Sequence, residues 1–386
     1  LRADGRSNPG KLKKPAPAKV AVVGAGSWGT TFAKILADAG ADVVVWARRP
    51  ELAREISEGR RNSDYLPGVN LPRGLRATSR LDEALRGAEQ VYVSIPSQSV
   101  RPLLPEVARS LEETSVVVSL MKGIEKKSGL RMSEVLASGL ALEPDRIAVA
   151  SGPNLALEIA REQPTASVIS SESLEVAQRV ALTVTNRYFR CFVNTDVIGT
   201  EFGGVLKNLI AVAIGIVDGV GYGENTKASI ITRGLAEMTD FAVAYGAQAE
   251  TLMGLAGLGD LIATCESPLS RNNTAGRLLG QGYSFSEVVS QMNQTAEGLA
   301  SVAPILALAD ARGVEMPIVR QVGQVLAGTL DPKDIAPHLT TDSDEPQGER
   351  TIDDGKDGSR SALRRAFERA YDQLRHGGRG AGGDRS

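Results

Sequence analysis

Apolar and polar positions follow two different rhythms along this chain. In the first half, short apolar runs recur at residues 20–23, 43–46, 91–95, 116–120, 147–150 and 166–169, with a further one at 189–193. Each is too short for a buried helix and rich in valine or isoleucine, which predicts strands. Between them, residues 81–85, 100–110 and 132–138 carry helical spacing. Strands alternating with helices build right-handed βαβ units and a doubly wound sheet. After Asn194 the rhythm changes: residues 196–330 hold almost no strand-like runs. Residues 197–217, 227–245, 285–292 and 300–312 predict helices instead. The fold class is therefore α/β, a doubly wound N-terminal sheet followed by an all-helical C-terminal domain.

The first strand leads into Gly24-Ala25-Gly26-Ser27-Trp28-Gly29, and helical spacing opens behind it. This is the geometry that holds a dinucleotide pyrophosphate, so the sheet is Rossmann-like. Gly24 permits the tight turn, Gly26 lets backbone approach the phosphates, and Gly29 lets helix and strand pack closely. The free N–H groups and positive end of the helix dipole then face the anion. The second strand ends in Trp46-Ala47-Arg48-Arg49, and no acid lies between Val43 and Pro50. An NAD-selective site carries an acid here for the ribose hydroxyls, whereas arginines suit a 2′-phosphate. NADP(H) is thus the preferred coenzyme, with NAD(H) left open. Ligands bind beyond the carboxyl ends of such strands. That rule nominates Lys122, after the fourth strand, and the loop Ser151-Gly152-Pro153-Asn154, after the fifth.

The helical half adds a second constellation. Lys207 and Asn208 sit in the apolar, small-residue stretch that begins at Gly203-Gly204. A lysine there is costly unless paired or chemically active, and burial lowers its pKa toward that of a usable proton carrier. Its bland alternative is a lysine snorkelling to the surface. Asp260 follows a glycine-rich turn, where it orients an ammonium or caps a helix. Ser270, Arg271 and Asn272 combine a hydroxyl, a guanidinium fork and an amide, which suits a phosphate clamp. Ser270 also suits a helix cap.

Composition narrows the rest. Of 386 residues, 42% are hydrophobic and 23% charged, the balance of a soluble globular protein. A net charge of −2 and 4% aromatic residues give no field or stacking platform for nucleic acid. The two cysteines, Cys191 and Cys265, have no metal-ligand spacing and suit a reducing cytoplasm as small buried hydrophobes. The two histidines, His338 and His376, lie near the C-terminal end, so no metal site is expected and a proton carrier must be Lys, Asp, Glu or Tyr. The longest apolar stretch, 209–217, is too short to cross a bilayer, and no secretory leader is visible. Four segments follow: a disordered leader at 1–18, a dinucleotide-binding domain at 19–194, a helical substrate domain at 195–338, and a charged disordered tail at 339–386. Within the tail, 361–374 has the spacing of an isolated basic helix. Small residues at 199–219 permit close helix packing within one chain or between two, leaving a homodimer open.

Several stretches together resemble the bacterial-type NAD(P)-dependent glycerol-3-phosphate dehydrogenases. They are GAGSWGT at 24–30, VWARRP at 45–50, MKGIE at 121–125, SGPNLALE at 151–158, GGVLKNLIAVAIGIVDG at 203–219, TKASIITRGLAEM at 226–238, GLAGLGDLIATC at 254–265, SRNN at 270–273 and AEG at 296–298. They run in the family's order. The resemblance implies that Ser27, Trp28, Arg48, Arg49, Tyr65 and Lys122 contact the dinucleotide, as does Ala156. It implies substrate contacts for Lys122, Gly152, Asn154, Asp260, Ser270, Arg271 and Asn272, with Arg271 also near the coenzyme. Lys207 matches the proton acceptor, and Thr295 and Glu297 match positions that close over the nicotinamide. The implied activity is interconversion of sn-glycerol 3-phosphate and dihydroxyacetone phosphate in the cytoplasm, supplying phospholipid synthesis. Two other readings compete. β-Hydroxyacid, sugar-nucleotide or ketopantoate dehydrogenases share the layout but not the Ser-Arg-Asn cluster. A non-catalytic NADPH-binding regulator needs no Lys207–Asp260 pair.

Overall fold

The computed structural model describes residues 17–292 and 297–335; the predicted leader up to residue 16, Thr295, both histidines and the tail lie outside them. Eight strands form one sheet: β1 (Lys19–Val23), β2 (Asp42–Trp46), β3 (Arg76–Thr78), β4 (Gln90–Val93), β5 (Val116–Ser119), β6 (Ile147–Ser151), β7 (Thr165–Ser171) and β8 (Phe189–Asn194). Their order is β3-β2-β1-β4-β5-β6-β7-β8, and only the β6–β7 pairing is antiparallel. The chain runs one way from β1 to β3 and returns to the other side of β1 with β4. That reversal creates a crevice at the carboxyl ends of β1 and β4. Strand β3 has a single apolar residue among Arg76, Ala77 and Thr78, too little pattern to read from sequence.

Strands β4, β5 and β6 are buried along their whole length, as expected where helices cover both faces. On one face pack α1 (Ser27–Asp38), α2 (Pro50–Ser57), α6 (Ala156–Ala160) and α7 (Leu174–Val184); on the other, α3 (Leu81–Leu85), α4 (Leu104–Ser110) and α5 (Met132–Leu140). The side chains of β1 divide accordingly, Val20 and Val22 to the first face, Ala21 and Val23 to the second. The helix expected over 100–110 begins as a 3₁₀ turn, Arg101–Leu103, because Pro102 and Pro105 lack the N–H groups of a regular ladder.

Beyond the sheet come α8 (Val197–Val220), α9 (Glu224–Ala244), α10 (Ala249–Met253), α11 (Asp260–Glu266), α12 (Arg271–Gly280), α13 (Phe285–Gln291), α14 (Glu297–Arg312) and α15 (Pro317–Leu326). Helix α8 is the hub. Its 24 residues are long and apolar enough to cross a bilayer, which the run at 209–217 did not suggest. Of its most apolar window, 83% is buried inside the protein, among Leu252, Leu261, Ile305 and Val322. It is therefore a core helix, apolar all round because neighbours surround it.

The small residues of α8 meet small residues of the same chain. Helix α12 runs alongside α8 in the same direction. A methyl on Gly215 would lie 2.1 Å from the Asn273 carbonyl oxygen, and one on Gly219 2.2 Å from that of Arg277. Reciprocally, a methyl on Gly276 would lie 2.1 Å from the Val212 oxygen, and one on Gly280 2.2 Å from that of Ile216. Four glycines thus let two backbones touch, and the stripe is filled within one subunit.

Candidate active site

The glycine loop is locked between two strand ends. Gly24 has φ +116°, open to glycine and strained for other residues, and a methyl there would lie 2.2 Å from the Ser94 oxygen. Its N–H donates to the Trp46 carbonyl at 3.1 Å, while Ser94 N–H donates to the Val23 carbonyl at 2.8 Å. A methyl on Gly29 would meet the Gly24 oxygen at 2.1 Å, so α1 packs directly on the turn. Gly26 differs: it caps α1 without a side chain, and among the described residues beyond its chain neighbours a methyl there would meet nothing within 4 Å. The first-turn N–H groups of α1 therefore face open space with room for a pyrophosphate, and the residues fit the dinucleotide. Asn62, which sequence reasoning missed, holds the loop from behind by donating to the Ala25 carbonyl at 2.9 Å and Thr30 Oγ1 at 2.7 Å. Ser27 Oγ donates to the Tyr65 carbonyl at 2.8 Å, and Thr31 Oγ1 donates to that of Ala156 at 3.2 Å. Trp28 stacks edge-on against Phe32, and its buried Nε1–H finds no acceptor among the described residues.

The two arginines after β2 are not equivalent. Arg49 binds Asp64 at 2.5 Å and lies 3.8 Å from Glu51, so its charge is already answered. Arg48 is exposed, and no carboxylate pairs with it among the described residues.

The second constellation converges. Lys207 on α8, 7% exposed, donates from Nζ to Asp260 Oδ1 at 2.7 Å and to Thr264 Oγ1 at 2.6 Å. Asp260 is 1% exposed, and its other oxygen accepts from Lys122 Nζ at 2.6 Å. Lys122 also donates to the Gly152 carbonyl at 3.1 Å. Gly203 and Gly204 make this meeting possible. A methyl on Gly203 would lie 2.4 Å from the Ala256 oxygen, and one on Gly204 2.8 Å from Ser151 Oγ and 3.4 Å from Lys122 Cγ. One carboxylate thus serves two ammonium groups. Burial pulls the Lys207 pKa down, Asp260 resists, and the Lys122 charge adds to the lowering; the balance lies at about 8. Beside the carbonyl that holds Lys122, the buried Ser151 Oγ and Asn154 Oδ1 have no partner among the described residues. Asn154 Nδ2 donates to Ser167 Oγ at 3.2 Å. Polar atoms left unpaired beside a surplus cation suit a polar, anionic ligand.

The Ser270-Arg271-Asn272 segment forms the start of α12. Ser270 Oγ accepts the Asn273 N–H at 3.2 Å, so its hydroxyl caps the helix while its O–H remains a donor. Asn272 donates to Asn208 Oδ1 at 2.8 Å and accepts the Gly298 N–H at 3.0 Å, tying α12 to α8 beside Lys207. Arg271, exposed, occupies the first turn. The glycine crossing below sets where this helix start lies. Glu297 opens α14 by its backbone, and its side chain lies outside the described residues. Cys265 is buried near Lys207, Cys191 only half-buried, and burial raises both thiols to about 12. Among the described residues, no three His, Cys, Asp or Glu side chains gather as a metal site needs.

Comparison with known proteins agrees on one family. Residues 19–177 match the family model for the NAD-dependent glycerol-3-phosphate dehydrogenase N-terminus, and residues 196–337 that for its C-terminus. The glycerol-3-phosphate dehydrogenase [NAD(P)+] of Leifsonia xyli subsp. xyli is 75% identical, over 94% of this chain and 100% of its own. The Streptomyces griseus enzyme of the same name is 49% identical, over 86% of this chain and 98% of its own. The crystal structure of glycerol-3-phosphate dehydrogenase from Coxiella burnetii superposes with a TM-score of 0.79 at 36% identity, covering 84% of this chain and 99% of that one.

Proposed function

The chain belongs to the NAD-dependent glycerol-3-phosphate dehydrogenase family, and we propose that the Lys207–Asp260–Lys122 cluster is where it moves the proton of the reaction. The enzyme interconverts sn-glycerol 3-phosphate and dihydroxyacetone phosphate with NAD or NADP. This membership sets aside the other dehydrogenase classes and the non-catalytic regulator. When bound, the reduced coenzyme supplies the hydride for the carbonyl carbon. Lys207 donates its proton to the developing alkoxide and recovers it in the reverse direction. Asp260 aims the Lys207 ammonium, while Lys122 keeps that carboxylate from neutralising the site alone. The surplus positive charge stabilises the oxyanion in a water-poor place. Arg271 and the first-turn N–H groups of α12 hold the substrate phosphate, so remote binding energy positions the carbonyl.

The single observation that carries this reading is one buried carboxylate shared by two lysines. Arg48, exposed and without an acidic partner among the described residues, supports a preference for NADP(H). The free thiols support a reducing cytoplasm, and product made there supplies phospholipid synthesis. A homodimer would have to use a surface other than the glycine stripe of α8.

The test is oxidation of NADPH with dihydroxyacetone phosphate, repeated with NADH and with Lys207→Ala. Turnover in the wild type, faster with NADPH, and loss of most kcat in the variant with NADPH still bound are expected. Near-normal turnover of Lys207→Ala would remove Lys207 from the chemistry.

A further inference from the structure

A second buried ion pair joins the sheet to α8, and the chemistry above makes no use of it. Glu201 lies on α8, six residues before Lys207 and 7% exposed. Its carboxylate accepts from Arg131 Nη1 at 2.7 Å, from Ser133 N–H at 2.8 Å and from Ser133 Oγ at 2.5 Å. Six residues are about 9 Å along a helix and about two-thirds of a turn around it. Glu201 thus faces the start of α5 while Lys207 faces α11.

Arg131 closes the loop that carries Lys122. After β5 the chain passes Lys122, forms an isolated bridge between Ile124 and Arg131, and enters α5. Glu125 N–H donates to the Leu130 carbonyl at 3.0 Å, so the segment is a small closed hairpin. Arg101 grips Glu125 through two N–H groups at 2.7 and 2.8 Å, and Gln98 Nε2 donates to the Ile124 carbonyl at 2.7 Å. Ile124, 1% exposed, packs in the helical core with Phe202 and Leu206 of α8. The hairpin is therefore held on several sides, and this stretch of chain touches the helical half at Arg131 on Glu201 and, two residues before the hairpin, at Lys122 on Asp260.

We infer that Glu201 is a positioning residue that sets the reach of Lys122 to Asp260, and through it the proton chemistry of Lys207. The inference rests on the catalytic reading of that cluster. Arg131 also pairs with Glu134 at 3.1 Å, so removing Glu201 releases the hairpin without stranding a buried cation. Lys207 is faced by Asp260, Thr264 and Cys265 from α11 and by Lys122 from the hairpin. A hairpin that drifts takes Lys122 off Asp260, leaves the carboxylate to Lys207 alone, and removes the like charge that lowers Lys207.

The experiment compares wild type, Glu201→Gln, Arg131→Gln and the double variant with NADPH and dihydroxyacetone phosphate across pH. Expected are a fall in kcat of about tenfold and a Lys207-governed limb moved to higher pH by half a unit or more. The double variant should be no worse than either single, because both cut one link. Amide hydrogen exchange across 122–131 should speed up in all three. Lost kcat with an unmoved limb, additive losses, or unchanged exchange in 122–131 would overturn the positioning role. If the wild type fails to reduce dihydroxyacetone phosphate, the catalytic reading fails instead, while the exchange arm still reports on the brace. Should Glu201→Gln not fold, Arg131→Gln carries the same test from the less buried end of the link.

Discussion

Two lysines are buried among the described residues, and the charges in contact with them are inverses. Lys34 of α1, 4% exposed, reaches Asp38 at 2.6 Å and Glu162 at 3.0 Å and lies 5.2 Å from the centre of the Tyr188 ring. Tyr188 in turn donates to Asp38 at 2.7 Å, and Arg187 pairs with Glu162. There, one ammonium sits between two carboxylates. At Lys207 two ammoniums share one carboxylate, Asp260. Burial of a lysine therefore does not mark chemistry. The charge left over separates the two: the first cluster is balanced as it stands, and the second keeps one positive charge in excess, which under the proposed function an incoming anion answers.

The strongest attempt to break this contrast is to remove each lysine in turn. Lys207→Ala should lose about 10²- to 10⁴-fold in kcat, the usual worth of a positioned proton donor, while Lys34→Met stays within about twofold. Steady-state kinetics decide, and comparable losses in both would erase the distinction.

Stability should rank the pair the other way. Lys34→Met takes a charged hydrogen bond from Asp38, which keeps Tyr188, and from Glu162, which keeps Arg187, and should cost about 2 kcal/mol in urea unfolding. Lys207→Met leaves Asp260 with Lys122, a balanced pair, and should cost less than about 1 kcal/mol.

The pH dependence sharpens the contrast further. With Lys207 lowered to about 8, kcat/KM for reduction should fall about tenfold per pH unit above that value. In the oxidising direction the rate should climb toward the same value from below. The sign for stability follows from proton counting. Between about 8 and 10.5 the unfolded lysine keeps a proton that the folded one has lost, so wild type should gain stability over Lys207→Met as pH rises through that window.

The smallest effect belongs to a miniature of the same comparison. Arg49 is answered by Asp64, whereas Arg48 has no acidic partner among the described residues. Arg48→Asp should shift the NADPH-to-NADH preference by about tenfold, and Arg49→Asp by less. Measured KM values for both coenzymes check this, and an unmoved ratio in Arg48→Asp would take that side chain away from the 2′-phosphate.

What could be read from the sequence was what local pattern encodes. The strand, glycines and helix start around Gly24 lie within one contiguous stretch, and Lys207 stands out as a charge in an apolar helix. The family resemblance then named Lys122 and Asp260 together, although 138 residues separate them. Lys34 was invisible for the opposite reason. It looks like any polar position of an amphipathic helix, and its partner Glu162 lies 128 residues away. Asn62, Thr264 and Glu201 escaped similarly, since each is defined by a partner on another element. Ser270 shows the limit from another side: the sequence offers both a clamp and a cap for one hydroxyl, and the Asn273 contact shows the cap without bearing on the clamp.

The crossing of α8 and α12 has a consequence for how this protein tolerates change. What an added methyl would meet at Gly215, Gly219, Gly276 or Gly280 is a carbonyl oxygen of the opposing backbone, not a side chain that another mutation could trim. An alanine at any of the four has no obvious second-site suppressor in the facing helix. Because α12 begins at Arg271 and α8 bears Lys207, spreading the helices at Gly280 would also tilt the end of the crossing that carries the proposed site. In a library of variants, these four positions should behave as all-or-none sites, intolerant even of the smallest side chain, although none of them belongs to the proposed site.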